Sequence, residues 1–277
     1  MAEADRIAKA TQGPVTTSRL VADLRGLGVV PGQTLLVHCA MGALGWICGG
    51  SQAVIEALHE AVGAQGTLAM PAHANDRSEP ANWGDPAVPE SWWPIIRAEM
   101  PAFDPATTPT RGMGQVAECF RSAPGALRSG HPQVSMAACG RYAPDIVAHH
   151  DLPDGFGEAS PLRALYDLDA RIVLLGVGYD CCTALHLAEH RAPHYRPGYK
   201  PSGAAICRDG QRVWHDYAGF AYDPDDFMAL GADYDAAGRP LARSRVGEAE
   251  ARLLSMVDLV DFATGWIGSR RGTQPTG

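Results

Sequence analysis

Residues 172–192 read IVLLGVGYDCCTALHLAEHRA. The first four, Ile172-Val173-Leu174-Leu175, are apolar without alternation, which is what a strand buried on both faces of a sheet requires. Gly176 and Gly178 break the run, and the residues after them take up helical spacing, carrying His186, Glu189 and His190. A strand that hands over to a helix through glycines presents side chains at the carboxyl end of a sheet, where open α/β sheets bind their ligands.

Upstream, Thr16-Thr17-Ser18 offer capping hydroxyls to a helix through Leu20, Leu24 and Leu27, and Gly28 ends it. Thr34-Leu35-Leu36-Val37-His38 then reads as a strand. A small-residue loop from Cys39 to Gly50 follows, with Ser51 placed to cap a helix through Val54, Leu58 and Val62. Gly66 to Pro71 is a second core strand, and this alternation is that of a parallel α/β sheet. Residues 73–109 break the pattern: the segment is rich in Asp, Trp and Pro and has one helical turn around Ser91 to Met100, as a binding loop would. Val134 to Gly140 is a small-residue strand, and Ser160-Pro161 opens a helix leading into the 172–175 run. Downstream, Asp209-Gly210 between two short strands signals a hairpin. The apolar positions Leu253, Met256, Val260 and Ala263 then predict a closing helix from Glu248 to Trp266.

The expectation is an α/β fold: a single domain over residues 1–267, built around a mostly parallel central sheet flanked by helices. It carries a substrate-side loop and helical insertion at 73–109, a C-terminal hairpin plus helix, and a disordered tail at 268–277.

The formal net charge of −8 argues against nucleic acid or an anionic membrane as the main partner and leaves room for a cationic ligand. No stretch approaches the roughly 20 apolar residues of a membrane span, and the N-terminus has no signal-peptide core. A cytoplasmic protein is expected. The seven cysteines are an odd number, include no C-x-x-C pair, and read as reduced thiols.

Two chemistries compete at the opening stretch. His186 and Glu189, three apart on a helix, suit a general base oriented by a carboxylate. Alternatively, His186-x-x-Glu189-His190 is literally a zinc peptidase pattern, with both histidines as ligands in a zinc-dependent hydrolase. The glycine-rich loop after His38 suits a pyrophosphate through its backbone N–H groups, although it matches neither the P-loop nor the dinucleotide fingerprint; an ordinary turn is the competing reading. His131, in Arg128-Ser129-Gly130-His131-Pro132, is equally readable as a loop-fixing hydrogen bonder. No G-x-S-x-G elbow supports a serine hydrolase.

Three stretches taken together, LLVHCAMGALGWICGGSQAVIEAL (35–58), RSGHPQVSMAACG (128–140) and GEASPLRALYDLDARIVLLGVGYDCCTALHLAE (157–189), closely resemble the aminoglycoside 3-N-acetyltransferase family. The resemblance extends to the closing RVGEAEARLL segment (245–254). It implies an α/β fold of the family's own and transfer of acetyl from acetyl-CoA to the 3-amino group of a deoxystreptamine ring, with no metal. His186 matches the family's catalytic histidine and Glu189 the glutamate one turn on. The loop containing His38, Cys39, Ala40, Gly42, Gly49, Gly50 and Ser51 matches the segment that receives the cofactor, and Ser129 and His131 match a loop lining the same cleft. Asp180 and Glu158 match acidic positions near the aminoglycoside, to which Asp76 and Asp85 of the insertion add candidate carboxylates. This chain departs from many members in having Cys39 and Ala40 where two serines follow the histidine, and in having Tyr179 and Cys182 around the strand exit. The expected partners are acetyl-CoA and a cationic aminoglycoside, without nucleic acid or membrane, and a homodimer is compatible with the sequence.

Overall fold

The 172–175 run lies near the middle of a seven-stranded sheet, as its unbroken apolarity requires. In the computed structural model, which describes residues 3–10, 13–84 and 86–271, the chain begins with helices α1 (Glu3–Lys9) and α2 (Thr17–Leu27), strand β1 (Thr34–Cys39), helix α3 (Gly50–Val62) and strand β2 (Thr67–Pro71). Helices α4 (Trp93–Glu99) and α5 (Gly114–Arg121), strands β3 (Leu127–Arg128) and β4 (Met136–Gly140), and helices α6 (Ala143–Val147) and α7 (Pro161–Asp167) follow. Strand β5 (Arg171–Leu175) leads into helix α8 (Leu185–Arg191). The C-terminal part holds the paired strands β6 (Tyr199–Arg208) and β7 (Gln211–Phe220), helix α9 (Phe227–Ala236), strands β8 (Leu241–Val246) and β9 (Ala249–Ser255), and helix α10 (Met256–Arg271).

The sheet order is β3-β4-β2-β1-β5-β9-β8, and β6 and β7 form a separate two-stranded arm. Strand β1 runs parallel to β2 and β5, while every other pairing is antiparallel. The α/β class is as expected, and the sheet is mixed around a parallel centre. The β1–β2 crossover through α3 returns the chain in the same direction, whereas the short connections from β3 to β4 and from β8 to β9, at the two ends of the sheet, impose antiparallel pairing there. Val173 and Leu175 face one core with α2 and α3 (Leu20, Leu24, Val54, Leu58), whereas Ile172 and Leu174 face the other with α7, α8 and α10 (Leu162, Leu185, Leu187, Leu259).

Two expected features are corrected. Residues 248–255 are strand rather than helix: Gly247, at φ 60°, turns the chain between β8 and β9. Ala249, Ala251 and Leu253 then point alternately into one core, so the helical spacing of Leu253, Met256 and Val260 describes α10 only from Met256 onward. Residues 268–271 are helix rather than the expected tail: α10 continues to Arg271, whose side chain packs inward, and residues 272–277 lie outside the described residues. Asp209-Gly210 turns β6 into β7 as predicted, with φ 52° and 75°. Among the described residues no helix is long and apolar enough to cross a membrane.

The chain leaves β1 for β2 through α3 on one face and enters β5 from α7 on the other. The point where such crossovers diverge opens a crevice beyond the carboxyl ends of the strands. Here Cys39 lies opposite Leu175, and Ala40 N–H donates to Leu175 O at 2.9 Å. Gly176, at φ 66°, is required by this junction, since a Cβ there would come within 2.4 Å of Ala43 Cβ.

Candidate active site

A cleft of about 470 Å³ opens at this edge. Its walls come from the end of β1 (His38, Cys39), the exit of β2 (His73), the approach to α5 (Gly112, Met113, Gly114), and the segment after β5 (Asp180, Cys181, Cys182, His186). The candidate stretches that end β1 and follow β5, distant in sequence, are thus brought together at one point by the parallel pairing of β1 with β5.

His186 sits on the first turn of α8. Its Nδ1 lies 2.6 Å from Glu189 Oε2. A carboxylate only accepts, so Nδ1 carries a proton, and the neutral form of the ring has its lone pair on Nε2. Aromatic rings hold the imidazole in place: Phe156 stacks on it at 4.7 Å and 10°, while Tyr222 and Phe227 each approach to 5.0 Å. The Glu189 side chain is fully buried, and its Oε1 accepts from Arg271 Nη1 at 2.8 Å and from Asp223 N–H at 3.0 Å.

His190 turns away from the cleft. Its Nε2 is 2.9 Å from Tyr222 Oη, its Nδ1 is 3.2 Å from Asp154, and its ring stacks on Phe220 at 4.0 Å. With both nitrogens engaged it has no lone pair to share with His186, and among the described residues no group of three His, Cys, Asp or Glu is placed to hold a metal. The zinc hydrolase reading therefore has no support in the geometry. His190 instead anchors Tyr222, whose hydroxyl accepts from Phe156 N–H at 2.8 Å.

The other expected residues divide. His38, Cys39 and Asp180 line the cleft. Ser51 lines a shallower groove that joins it through Gly112, Met113 and Gly114. It does not cap α3, which starts one residue earlier from Gly49 at φ 89°; its Oγ faces Met41 Sδ at 3.3 Å. Gly42 lines a separate hollow with Trp46, and Ala40, Gly49 and Gly50 shape the loop without lining the cleft. Ser129 and His131 are buried behind it. His131 Nδ1 accepts from Gln133 and Val134 N–H, and Ser129 Oγ accepts from Met136 N–H and lies 2.8 Å from His150 Nδ1. They brace the 150–155 loop that presents Phe156 to His186, which is the loop-fixing alternative.

Glu158 is outside the cleft, where the Arg191 and Arg163 guanidiniums bind it at 2.6 and 2.8 Å and hold its carboxyl down to about 2. Asp76 lies 3.7 Å from Arg111, and Asp85 is outside the described residues. Sequence reasoning missed His73, Phe156, Tyr222, Phe227 and Arg271, which no local spacing ties to His186.

Burial pushes the Cys39 and Cys182 thiols at the cleft up to about 12, away from thiolate, and all seven cysteines are free. Burial also pushes His38 down to about 4 and, with His186 nearby, His73 to about 3; Nε2 of each has no hydrogen-bond partner. An unfolded histidine takes up its proton near pH 6.5. The unfolded chain therefore binds more protons than the folded one below that pH, and the stability contributed by these neutral imidazoles is lost as pH falls towards 4. The thermal midpoint is expected to drop between pH 7 and pH 5, before carboxylates titrate; a flat midpoint in calorimetry would mean that these rings protonate within the fold.

The family model described as aminoglycoside 3-N-acetyltransferase matches residues 36–268. The chain is 41% identical to the SPbeta prophage-derived aminoglycoside N(3')-acetyltransferase-like protein YokD of Bacillus subtilis (strain 168), covering 95% of this chain and 96% of that one. The crystal structure of YokD superposes with a TM-score of 0.94 at 39% identity, over 98% of this chain and 100% of that one. Aminoglycoside N(3)-acetyltransferase VIII of Streptomyces fradiae is 38% identical over 94% of both chains. The structure of AAC-IIIb binary with CoASH has a TM-score of 0.83 at 29% identity, over 95% of this chain and 100% of that one. A match of this extent, on the same fold, makes the chain a member of the aminoglycoside 3-N-acetyltransferase family.

Proposed function

We propose that the protein transfers acetyl from acetyl-CoA to the 3-amino group of an aminoglycoside, with His186 as general base. The observation that carries this reading is the His186–Glu189 contact of 2.6 Å, which selects the tautomer whose lone pair is on Nε2, on a residue lining the cleft. Family membership and the CoASH-bound relative support the choice of acyl donor.

The groove past Ser51 and Gly112–Gly114 leads into the cleft and suits the extended donor, with its thioester near His38 and Cys39. Asp180, an exposed carboxylate on the rim, faces the cationic acceptor. An ammonium has no lone pair, so the acceptor nitrogen must lose a proton before it attacks the thioester carbonyl. His186 Nε2 takes that proton, the C–S bond breaks as the attacking nitrogen gives up its second proton to solvent, and the proton held by His186 passes to the departing thiolate. The products are an amide and CoA thiol. Neutral His38 and His73 each offer one N–H donor near the developing oxyanion without adding charge.

Incubation with acetyl-CoA and a panel of aminoglycosides tests the reading. Free thiol should appear only with an acceptor present, and NMR of the product should place the acetyl group on the 3-amino nitrogen. Absence of thiol release with every aminoglycoside would overturn it.

A further inference from the structure

We infer that Arg271, at the end of α10, is a positioning residue for the reaction, setting the orientation and charge balance of Glu189 and through it the basicity of His186. The inference rests on the reading of His186 as base. Arg271 does not line the cleft. Its side chain is only 10% exposed, and it reaches the fully buried Glu189 from an element 82 residues away in sequence.

The guanidinium is used on three sides. Nη1 binds Glu189 Oε1 at 2.8 Å, Nε binds Asp226 Oδ2 at 3.0 Å, and Nη2 donates to Asp223 O at 2.8 Å. Its flat face lies 5.2 Å from the Tyr195 ring, and Tyr195 Oη is itself 3.4 Å from Glu189 Oε1. Arg271 thus fixes one oxygen of Glu189 so that the other meets His186 Nδ1. It also ties down the 223–227 segment, which contributes Pro224 to the cleft wall and Phe227 to the rings around His186.

A carboxylate shared between an imidazole and a guanidinium attracts the imidazole proton less strongly than one facing the imidazole alone. Arg271 therefore keeps His186 available as a neutral base. The other titratable groups around His186 are His73 beyond β2, His190 on α8 and Tyr222 after β7. None of them offers a second cation to Glu189.

The test is steady-state kinetics of Arg271→Ala in the full chain, across pH, with acetyl-CoA and an aminoglycoside acceptor. The expected result is a fall in kcat of about 10- to 100-fold, as when a reacting group is slightly misplaced, with KM for both substrates within about twofold. The acid limb of kcat/KM should move to higher pH, and added guanidinium should restore part of the lost kcat. An unchanged kcat overturns the inference. So does a loss that guanidinium does not rescue and that leaves the acid limb in place, since a merely structural role would give that result. If Arg271→Ala is not recovered folded, Arg271→Gln keeps an amide donor without charge, and an unshifted acid limb there overturns it equally. His186→Ala run alongside separates the two readings: native-like activity in that variant would sink the base itself, whereas an inactive His186→Ala with a native-like Arg271→Ala would sink only the role of Arg271.

Discussion

His186→Ala is expected to lower kcat by about 10²–10⁴-fold, the usual cost of removing a general base, while acetyl-CoA still binds. Binding should survive because the cleft wall formed by His38, Cys39 and Gly112–Gly114 does not depend on the imidazole. The ring is nevertheless packed between Phe156, Tyr222 and Phe227, so truncation leaves a void and lowers the thermal midpoint as well. His186→Gln, which refills much of that space without a titratable nitrogen, separates the two effects: stability should recover and turnover should not. Equilibrium binding of acetyl-CoA by calorimetry, set beside kcat from thiol release, completes the comparison. Retention of more than about a tenth of native turnover in either variant would remove His186 from the role of base.

The sequence makes this dyad legible because both members lie on one helix, three positions apart, where spacing alone fixes their proximity. The same holds for Ile172–Leu175 and Leu35–Val37, whose unbroken apolarity identifies strands buried on both faces. Residues 248–255 were harder to read. Alanines on the buried side of β9 give a weak period-two signal, and the stronger apolar residues Leu253, Met256 and Val260 straddle the strand and the helix after it. The surroundings of His186 left no local trace at all. Phe156, the 222–227 stretch with Tyr222 and Phe227, and Arg271 arrive from three separate segments, and only the tertiary fold brings them to one ring and its carboxylate. Spacing also cannot say which carboxylates are already paired. Glu158 looks like a ligand for a cationic acceptor until Arg163 and Arg191 are found on it.

Glu189→Gln is the sharper test of the dyad, because it replaces one carboxylate oxygen by an NH₂ group and changes almost no volume. The amide has one acceptor and one donor end, and the surroundings decide which faces His186. On the Oε1 side, Arg271 Nη1 and Asp223 N–H are both donors and require an oxygen. The amide NH₂ must then face His186 Nδ1 and donate to it, which forces the imidazole proton onto Nε2. The nitrogen that faces the cleft loses its lone pair, and an intact ring in its native position can no longer accept a proton. Enforcing the wrong tautomer in this way costs on the order of 10⁴ in turnover in serine protease triads, and a loss of similar size is expected here. Arg271 retains Asp226 as an ionic partner, so the change in stability should stay within about 1–3 kcal/mol. Nitrogen NMR of the His186 ring reads the tautomer directly, and kinetics read its consequence. A variant that turns over at near-native rate, or one that loses activity while Nδ1 remains the protonated nitrogen, would show that Glu189 does not act by holding the tautomer of His186.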